Sequence, residues 1–380
     1  MKVAIAGFGL RAGHILALMQ AHMPGLEFAG FVDPAPQKLH MVQGGESIPR
    51  FDTVPEMLAA TTPDLLFVGS PNHLHLEHIR QGLEAGARVF TEKPVVTTRE
   101  DTFALADLLA KHGADRVLVG LVLRYSQHMR DMRDVLASGA VGPITSIEAS
   151  EYIVPSHGAF FMRDWRRHTN YSGGFMLEKC CHDLDIYNMV TGSRPVQVAS
   201  FGGRRAFVPE HAPKDGDPIY HKKTSIWESA DDPFTADGDI VDHQTSILHF
   251  ESGASMTFAT NINVADEHRR FCVVGARGMV EGDFVRGFFK ATDAQSGNVL
   301  VDKDYSGESG LKGAHYGADE MMVKDIADYL EGRNAALPVS ILDAMEAGLV
   351  AMALDEARTS GAVVNLAADW ARLDAYGLRS

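Results

Sequence analysis

The sequence predicts two domains of different architecture: an amino-terminal α/β domain on a doubly wound parallel sheet, then an α+β domain on a large, mostly antiparallel sheet. Three observations carry this. Up to Gly120 short apolar runs alternate with helix-like segments, the βα pattern that sets strands in parallel. From Ile144 the apolar residues alternate singly with polar ones, at residues 144–149, 196–201, 244–250 and 255–259, as in strands with one buried face. A chain of 380 residues also exceeds what one core ordinarily serves. The break in alternation near Leu121 to Arg124 places the first domain at residues 1–122 and the second at 123–380. The Pro-, Asp- and Gly-rich stretch at about 205–240 reads as a surface insertion.

Residues 3–6 are small or β-branched without alternation, as in a parallel strand buried on both faces. The run breaks into Gly7-Phe8-Gly9-Leu10-Arg11-Ala12, a G-x-G-x-x-A turn. Gly7 permits the tight turn, Gly9 lets the backbone approach a pyrophosphate, and Ala12 lets the helix pack closely on its strand. That helix, starting near Leu10, points its amide groups and positive dipole end at the phosphates. A second strand at 28–32 ends in Asp33, where a carboxylate accepts hydrogen bonds from the adenosine ribose. The combination predicts a dinucleotide site. Asp33 repels the ribose phosphate of NADP and is followed by Pro34 rather than an arginine, so NAD is the expected cofactor.

Residues 36–41 read as a short helix and 49–51 as a connection. Thr53 and Glu56 form a capping box for a helix at 53–60. The buried strand at 64–69 runs into Ser70-Pro71-Asn72-His73-Leu74-His75, at the carboxyl edge where open parallel sheets bind ligands. A helix at 78–85 stops at Gly86, and a strand at 88–90 ends in Thr91-Glu92-Lys93-Pro94. Lys93, held by the following proline, projects towards the same cleft as the glycine turn. Thr98 caps a helix running to about His112, residues 116–120 form the last strand of the domain, and two helices near 318–331 and 341–360 close the chain.

Composition narrows the function. Thirty-five Lys and Arg against 50 Asp and Glu give a formal charge of −15, which repels phosphate backbones and argues against nucleic acid. No apolar run reaches membrane-spanning length, and the first apolar segment, interrupted by Arg11 and without a basic leader, reads as a strand. Cys180, Cys181 and Cys272 are too few and too poorly spaced for a disulfide framework, so a reducing cytoplasm is expected. His73, His75 and His78 lack acidic or cysteine company, and no metal is expected; the vicinal Cys180 and Cys181 read as helix packing.

In the second domain, Gly173-Gly174 leads into Glu178-Lys179-Cys180-Cys181-His182-Asp183-Leu184-Asp185. On a helix, at about 100° per residue, His182 lies about 40° round from Glu178 and Asp185 about 20° to the other side. Two carboxylates and an imidazole then share a face that can position a hydroxyl and move its proton, or satisfy one another in a partly buried helix. Trp165, with Arg163, Arg166 and Arg167, offers an aromatic face and guanidinium groups suited to a sugar ring, or a plain surface loop.

The G-x-G-x-x-A turn, Pro71-Asn72-x-x-His75, Glu92-Lys93-Pro94, Gly139-x-x-Gly142 and the Gly173-Gly174 element leading to His182 and Asp185 together resemble the Gfo/Idh/MocA oxidoreductases. This is the group of glucose–fructose oxidoreductase and inositol dehydrogenase, and the resemblance covers nearly the whole chain. It implies a Rossmann domain followed by a domain with an open sheet used for homodimer or homotetramer contacts. It also implies hydride transfer between NAD(H) and a sugar, sugar derivative or cyclic polyol. Carried over by motif, Lys93 corresponds to the catalytic lysine, His182 to the catalytic histidine, Glu178 to a position usually held by Asp, and Asp185 to a substrate-binding carboxylate. Gly7 to Ala12, Asp33, Ser70, Pro71, Asn72, His75, Glu92 and Lys93 form the implied cofactor set, with His75 near the nicotinamide. Lys93, Arg124, Trp165, Lys179, His182 and Asp185 form the implied substrate set. Glu178, longer by a methylene than Asp, and Lys179 are departures that argue against copying a substrate from inositol dehydrogenase.

The expected reaction places a secondary hydroxyl between Lys93 and His182. An unperturbed imidazole titrates near neutrality, which makes His182 the natural base, while Lys93 shares the proton or stabilises the developing alkoxide. Redox-neutral glycoside cleavage or epimerisation, and a non-catalytic sugar or nucleotide sensor, are the competing readings.

Overall fold

Five strands, β1 (Lys2–Ala6), β2 (Glu27–Val32), β3 (Leu65–Val68), β4 (Arg88–Thr91) and β5 (Val117–Val119), pair in parallel in the order β2-β1-β3-β4-β5. Every residue of β3 and β5 is buried, as required when helices cover both faces of a parallel sheet. In the computed structural model, which describes residues 1–214, 216–223, 227–307 and 314–379, this sheet belongs to the first of two units. That unit comprises Met1–Ser126, Gly317–Gly348 and Ala371–Ser380; the second comprises Gln127–Tyr316 and Leu349–Trp370.

The crossovers of the first unit are α1 (Leu10–His22), α2 (Val54–Thr61), α3 (His75–Glu84) and α4 (Arg99–His112). Thr53 caps α2 by accepting from the Glu56 amide (3.3 Å), and Thr98 caps α4 by accepting from Asp101 (3.0 Å). The helix expected at 36–41 is reduced to one 3-10 turn at Leu39–Met41. Before that turn the chain is tied otherwise: Ala35 donates to Asp33 in a local turn (2.7 Å) and Gln37 to the Phe8 carbonyl (2.7 Å). The helix expected from His78 already begins at His75, because a 3-10 turn at Asn72–Leu74 runs directly into it.

The second unit opens with α5 (Gln127–Ala137), β6 (Ile144–Tyr152), α6 (Pro155–Arg163), α7 (Thr169–Ser172) and α8 (Phe175–Thr191). Seven strands follow: β7 (Pro195–Gly203), β8 (His243–Phe250), β9 (Ser255–Asn261), β10 (His268–Gly275), β11 (Gly278–Asp283), β12 (Phe288–Asp293) and β13 (Val299–Asp304). The chain then returns to the first unit with α9 (Ala318–Leu330). It closes through α10 (Ile341–Ser360), the two-residue strand β14 (Val364–Asn365) and α11 (Ala367–Asp374). The sheet runs β13-β12-β11-β10-β6-β9-β8-β7-β14, antiparallel except for the β6–β9 pair. One face is core: Ile147, Val273 and Met256 form one cross-strand row, Ala149, Phe271 and Phe258 the next, and Glu151, Arg269 and Thr260 a third, polar row. The other face leaves Phe201 and Ile247 exposed.

Sequence periodicity misses β10 to β13 for a physical reason. In β10 the inward positions are Arg269, Phe271, Val273 and Gly275, so a charged residue and a glycine occupy core sites and break the apolar alternation. β13 is an edge strand with mostly exposed side chains.

Candidate active site

The parallel sheet brings three loops to one edge. Ala6 on β1 is in register with Val68 on β3, and Val68 with Thr91 on β4, so the residues that follow each leave the sheet together. Those residues are the Gly7–Gly9 turn, Ser70 to His75, and Glu92-Lys93-Pro94. Strand order reverses between β1 and β3, the crevice where open α/β sheets bind ligands.

Gly7 adopts φ +90°, and a side chain there would fall on the backbone of Ser70, so both the turn and the close approach of β3 require glycine. A side chain at Gly9 would instead meet nothing within 4 Å, which leaves the mouth of α1 open. That helix has no side-chain cap and no acidic residue in its own first turn, which suits its amino end to an anion. Ala12 is buried against the sheet, whereas Leu10 is exposed. Asp33 at the end of β2 accepts from the Phe8 amide (2.7 Å) and the Ala35 amide (2.7 Å), which fixes its carboxylate beside the glycine turn. These features fit a dinucleotide.

Arg11 does more than follow the turn. Its guanidinium reaches Glu92 (Nε to Oε1, 3.2 Å) and binds Asp319 of α9 through two nitrogens (2.5 and 2.8 Å), while His14 lies 3.4 Å from the same carboxylate. Burial pushes the Glu92 carboxyl above its usual range, opposed by Arg11 and Lys93. Gly120 makes room for this carboxylate, since a Cβ there would stand 3.0 Å from Glu92 Oε2. Asp319 was invisible to motif reading, because no local pattern ties a residue opening α9 to a turn at the start of the chain.

His75 ties the loops to one another. Its Nε2 lies 2.8 Å from the Ser70 carbonyl and its Nδ1 2.8 Å from the Pro94 carbonyl, across the cis Lys93–Pro94 peptide. Asn72 is buried beside it, and the Ser70 hydroxyl meets His78 Nδ1 at 2.9 Å. Burial, helped by His75, pushes the His78 imidazole down to about 4. Arg124, also in the first unit, is buried and engaged with Asp343 (3.2 Å) and the Pro338 carbonyl (3.1 Å).

In the second unit, Gly173 and Gly174 at φ +81° and +96° lead into α8. A side chain on Gly174 would come within 2.6 Å of Asp355, so glycine is needed for this entry. α8 is helical throughout, so His182 stands one turn beyond Glu178 and Asp185 shares their face. All three are buried. Glu178 accepts from Arg166 Nε (2.8 Å), and Arg166 also holds Asp164 (2.7 Å) while its guanidinium lies 4.2 Å from the Trp165 ring centre. Burial works against the Arg166 charge, and the two carboxylates outweigh it. His182 packs against His315 with the rings tilted, their centres 5.6 Å apart.

The neighbouring face of α8 is fastened to the sheet. Lys179 pairs with Glu151 (2.6 Å), Glu151 with Arg269 (2.9 Å), and Arg269 with Asp183 (2.8 and 2.5 Å). Burial works to raise the Glu151 carboxyl, and Arg269 and Lys179 overcome it and hold it low. Cys180 and Cys181 are buried, and burial pushes the Cys180 thiol well up, away from the thiolate that redox chemistry needs. Among the described residues no three His, Cys, Asp or Glu side chains are grouped as metal ligands, and no helix is long and apolar enough to cross a membrane.

A glycine turn at the switch point of a parallel sheet, with a lysine at the carboxyl end of a neighbouring strand, defines an NAD-binding Rossmann oxidoreductase domain, and sequence comparison agrees. Residues 1–121 match the Gfo/Idh/MocA family described as "Oxidoreductase family, NAD-binding Rossmann fold", and residues 129–281 match the Gfo/Idh/MocA C-terminal domain. The chain belongs to the Gfo/Idh/MocA family. It is 23% identical to YteT of Bacillus subtilis (strain 168), provisionally named an oxidoreductase, over 90% of this chain and 91% of that one. It is 30% identical to D-glucoside 3-dehydrogenase of Escherichia coli (strain K12), but over only 50% of this chain and 54% of that one. The fold matches scyllo-inositol dehydrogenase from Lactobacillus casei with bound NAD(H) and scyllo-inositol (TM-score 0.71, 18% identity), covering 97% of this chain and 99% of that one.

Proposed function

We propose that the protein is an NAD-dependent dehydrogenase or reductase that moves hydride between the nicotinamide and a secondary hydroxyl or carbonyl of a sugar, sugar derivative or cyclic polyol. The observation that carries the reading is the shared edge of the first unit, where the register of β1, β3 and β4 delivers the glycine turn, the Ser70-to-His75 loop and Lys93 together. The names of the relatives support the substrate class: one is a D-glucoside 3-dehydrogenase and another a scyllo-inositol dehydrogenase.

When bound, the nicotinamide accepts or returns the hydride. Gly7 to Ala12 hold the pyrophosphate at the start of α1, and Asp33 takes the ribose hydroxyls, which favours NAD over NADP. Ser70, Pro71, Asn72, His75 and Glu92 shape the nicotinamide end, with Glu92 held by Arg11. Lys93 and His182 handle the substrate proton: His182 accepts it as base, and the Lys93 ammonium stabilises the developing alkoxide. Glu178 acts by holding Arg166 beside Trp165. Asp185 and Trp165 are the proposed substrate contacts of the second unit, while Lys179 and Arg124 stand in ion pairs with Glu151 and Asp343. Residues 1–122 serve the cofactor and 123–380 the substrate. The outer face of the large sheet leaves Phe201 and Ile247 exposed, which supports association into a homodimer or homotetramer.

The test is the near-ultraviolet absorbance of reduced nicotinamide with excess NAD and a panel of cyclic polyols, aldoses and glycosides. The reading predicts sustained reduction beyond one equivalent per protein with at least one member. Reduction that stops at bound cofactor, or never begins with any panel member, contradicts it.

A further inference from the structure

Trp227 is an exposed aromatic side chain in the insertion between β7 and β8, 38% accessible, and it is not isolated. Its ring centre lies 6.1 Å from that of Trp165 and 5.3 Å from that of Tyr171. Trp165 lies under Arg166, and Arg166 binds Glu178, so a continuous run of contacts leads from the exposed ring to the face of α8 that carries His182. The backbone around Trp227 is pinned to the Trp165 segment from both sides. Arg163 donates to the Lys223 carbonyl (2.6 Å), the Ala230 amide donates to the Arg163 carbonyl (2.8 Å), and Arg167 donates to the Glu228 carbonyl. Glu228, the next residue, is held at φ +49°, a left-handed conformation that non-glycine residues rarely adopt. Such strain persists where the surroundings over-determine it, and it clusters at ligand clamps.

Resting on the sugar-oxidising reading above, we propose that Trp227 is a specificity-determining residue that stacks on the second ring of a two-ring sugar. The apolar face of a pyranose packs on an indole, and Trp165 and Tyr171 back that indole on its inner side. Contacts run from Trp227 through Trp165 and Arg166 to Glu178, and the proposal gives Trp227 the ring that does not react. The preferred substrate is therefore a disaccharide or a glycoside with a sugar aglycone rather than a free monosaccharide.

The experiment is calorimetric titration of the protein saturated with NADH, which cannot oxidise sugar, using glucose, cellobiose, maltose and trehalose. The wild type is expected to bind at least one two-ring sugar about tenfold more tightly than glucose, the scale of one stacking contact. Trp227→Ala should erase that margin and leave glucose binding unchanged, and Trp227→Phe should restore most of it, which a folding defect would not do. A margin that survives in Trp227→Ala overturns the proposal, as does a wild type that binds no two-ring sugar more tightly than glucose. A margin lost in Trp227→Ala without NAD reduction by any sugar supports the subsite and rejects the redox reading; NAD reduction with an unchanged preference does the reverse.

Discussion

Arg11 and Asp319 are 308 positions apart in the chain and are joined by two hydrogen bonds of 2.5 and 2.8 Å. Because Arg11 also holds Glu92, one guanidinium links the glycine turn, the strand end that carries Lys93, and α9. Removing it takes from two buried carboxylates the guanidinium they share. Arg11→Ala is expected to destabilise the first unit by about 3 kcal/mol, the scale for breaking a buried ion pair, and Arg11→Lys by less, since a lysine keeps the positive charge and loses only the paired contact. Urea unfolding followed by circular dichroism measures this; an unchanged midpoint in Arg11→Ala would show that the clamp is incidental.

Lys93→Met keeps the length of the side chain and removes its charge. Turnover should fall by about a thousandfold or more while NAD affinity stays within about threefold, because the lost interaction is one made in the transition state. His182→Asn should lower turnover by about a hundredfold, the scale of general-base catalysis. Steady-state rates paired with cofactor titration separate the two effects, and wild-type turnover in either variant would remove that residue from the proton-transfer role.

Asp33 accepts from the Phe8 and Ala35 amides, and the proposed function gives it the ribose hydroxyls as well. Wild-type protein should bind NAD about tenfold more tightly than NADP, and Asp33→Ser should narrow that ratio and weaken NAD binding as the turn loses its anchor. Fluorescence titration with both cofactors checks it. Equal affinities in the wild type would contradict the assignment.

Much of the fold is legible in local pattern. Thr53 and Thr98 announce α2 and α4, and the period that groups Glu178, His182 and Asp185 holds because α8 is helical throughout. What escapes is decided by distant partners. The segment before Leu39 is tied through the Gln37 amide to the Phe8 carbonyl of the glycine turn. β10 hides because Arg269 points inward to Glu151 and Asp183, carboxylates more than 80 residues away in sequence for Asp183. Asp319 and Trp227 belong to the same class, as each gains its meaning from side chains that no spacing rule connects.

Burial, the largest cause in both cases, lowers His78 and His128 to about 4 in the folded protein, His128 packed against Phe284 and Tyr305 with Asp131 and Asp283 opposing the shift. An unfolded histidine titrates at about 6.5, so between about pH 6.5 and 4 the unfolded chain binds more protons than the folded one. Stability contributed by these neutral imidazoles is therefore present above pH 6.5 and lost as pH falls through that window. Urea midpoints across pH 4 to 8 should show the decline, and His128→Phe should flatten its slope. An unaltered slope in that variant would place the acid sensitivity elsewhere.

The proposed reaction passes hydride from a sugar carbon to the nicotinamide. The direct measurement uses a panel sugar oxidised by the protein, deuterated at its ring carbons, followed by mass spectrometry of the NADH released. The account predicts one deuterium in each molecule of NADH, at a rate that Lys93→Met abolishes. Altered sugar product with no deuterium accumulating in free NADH would contradict it.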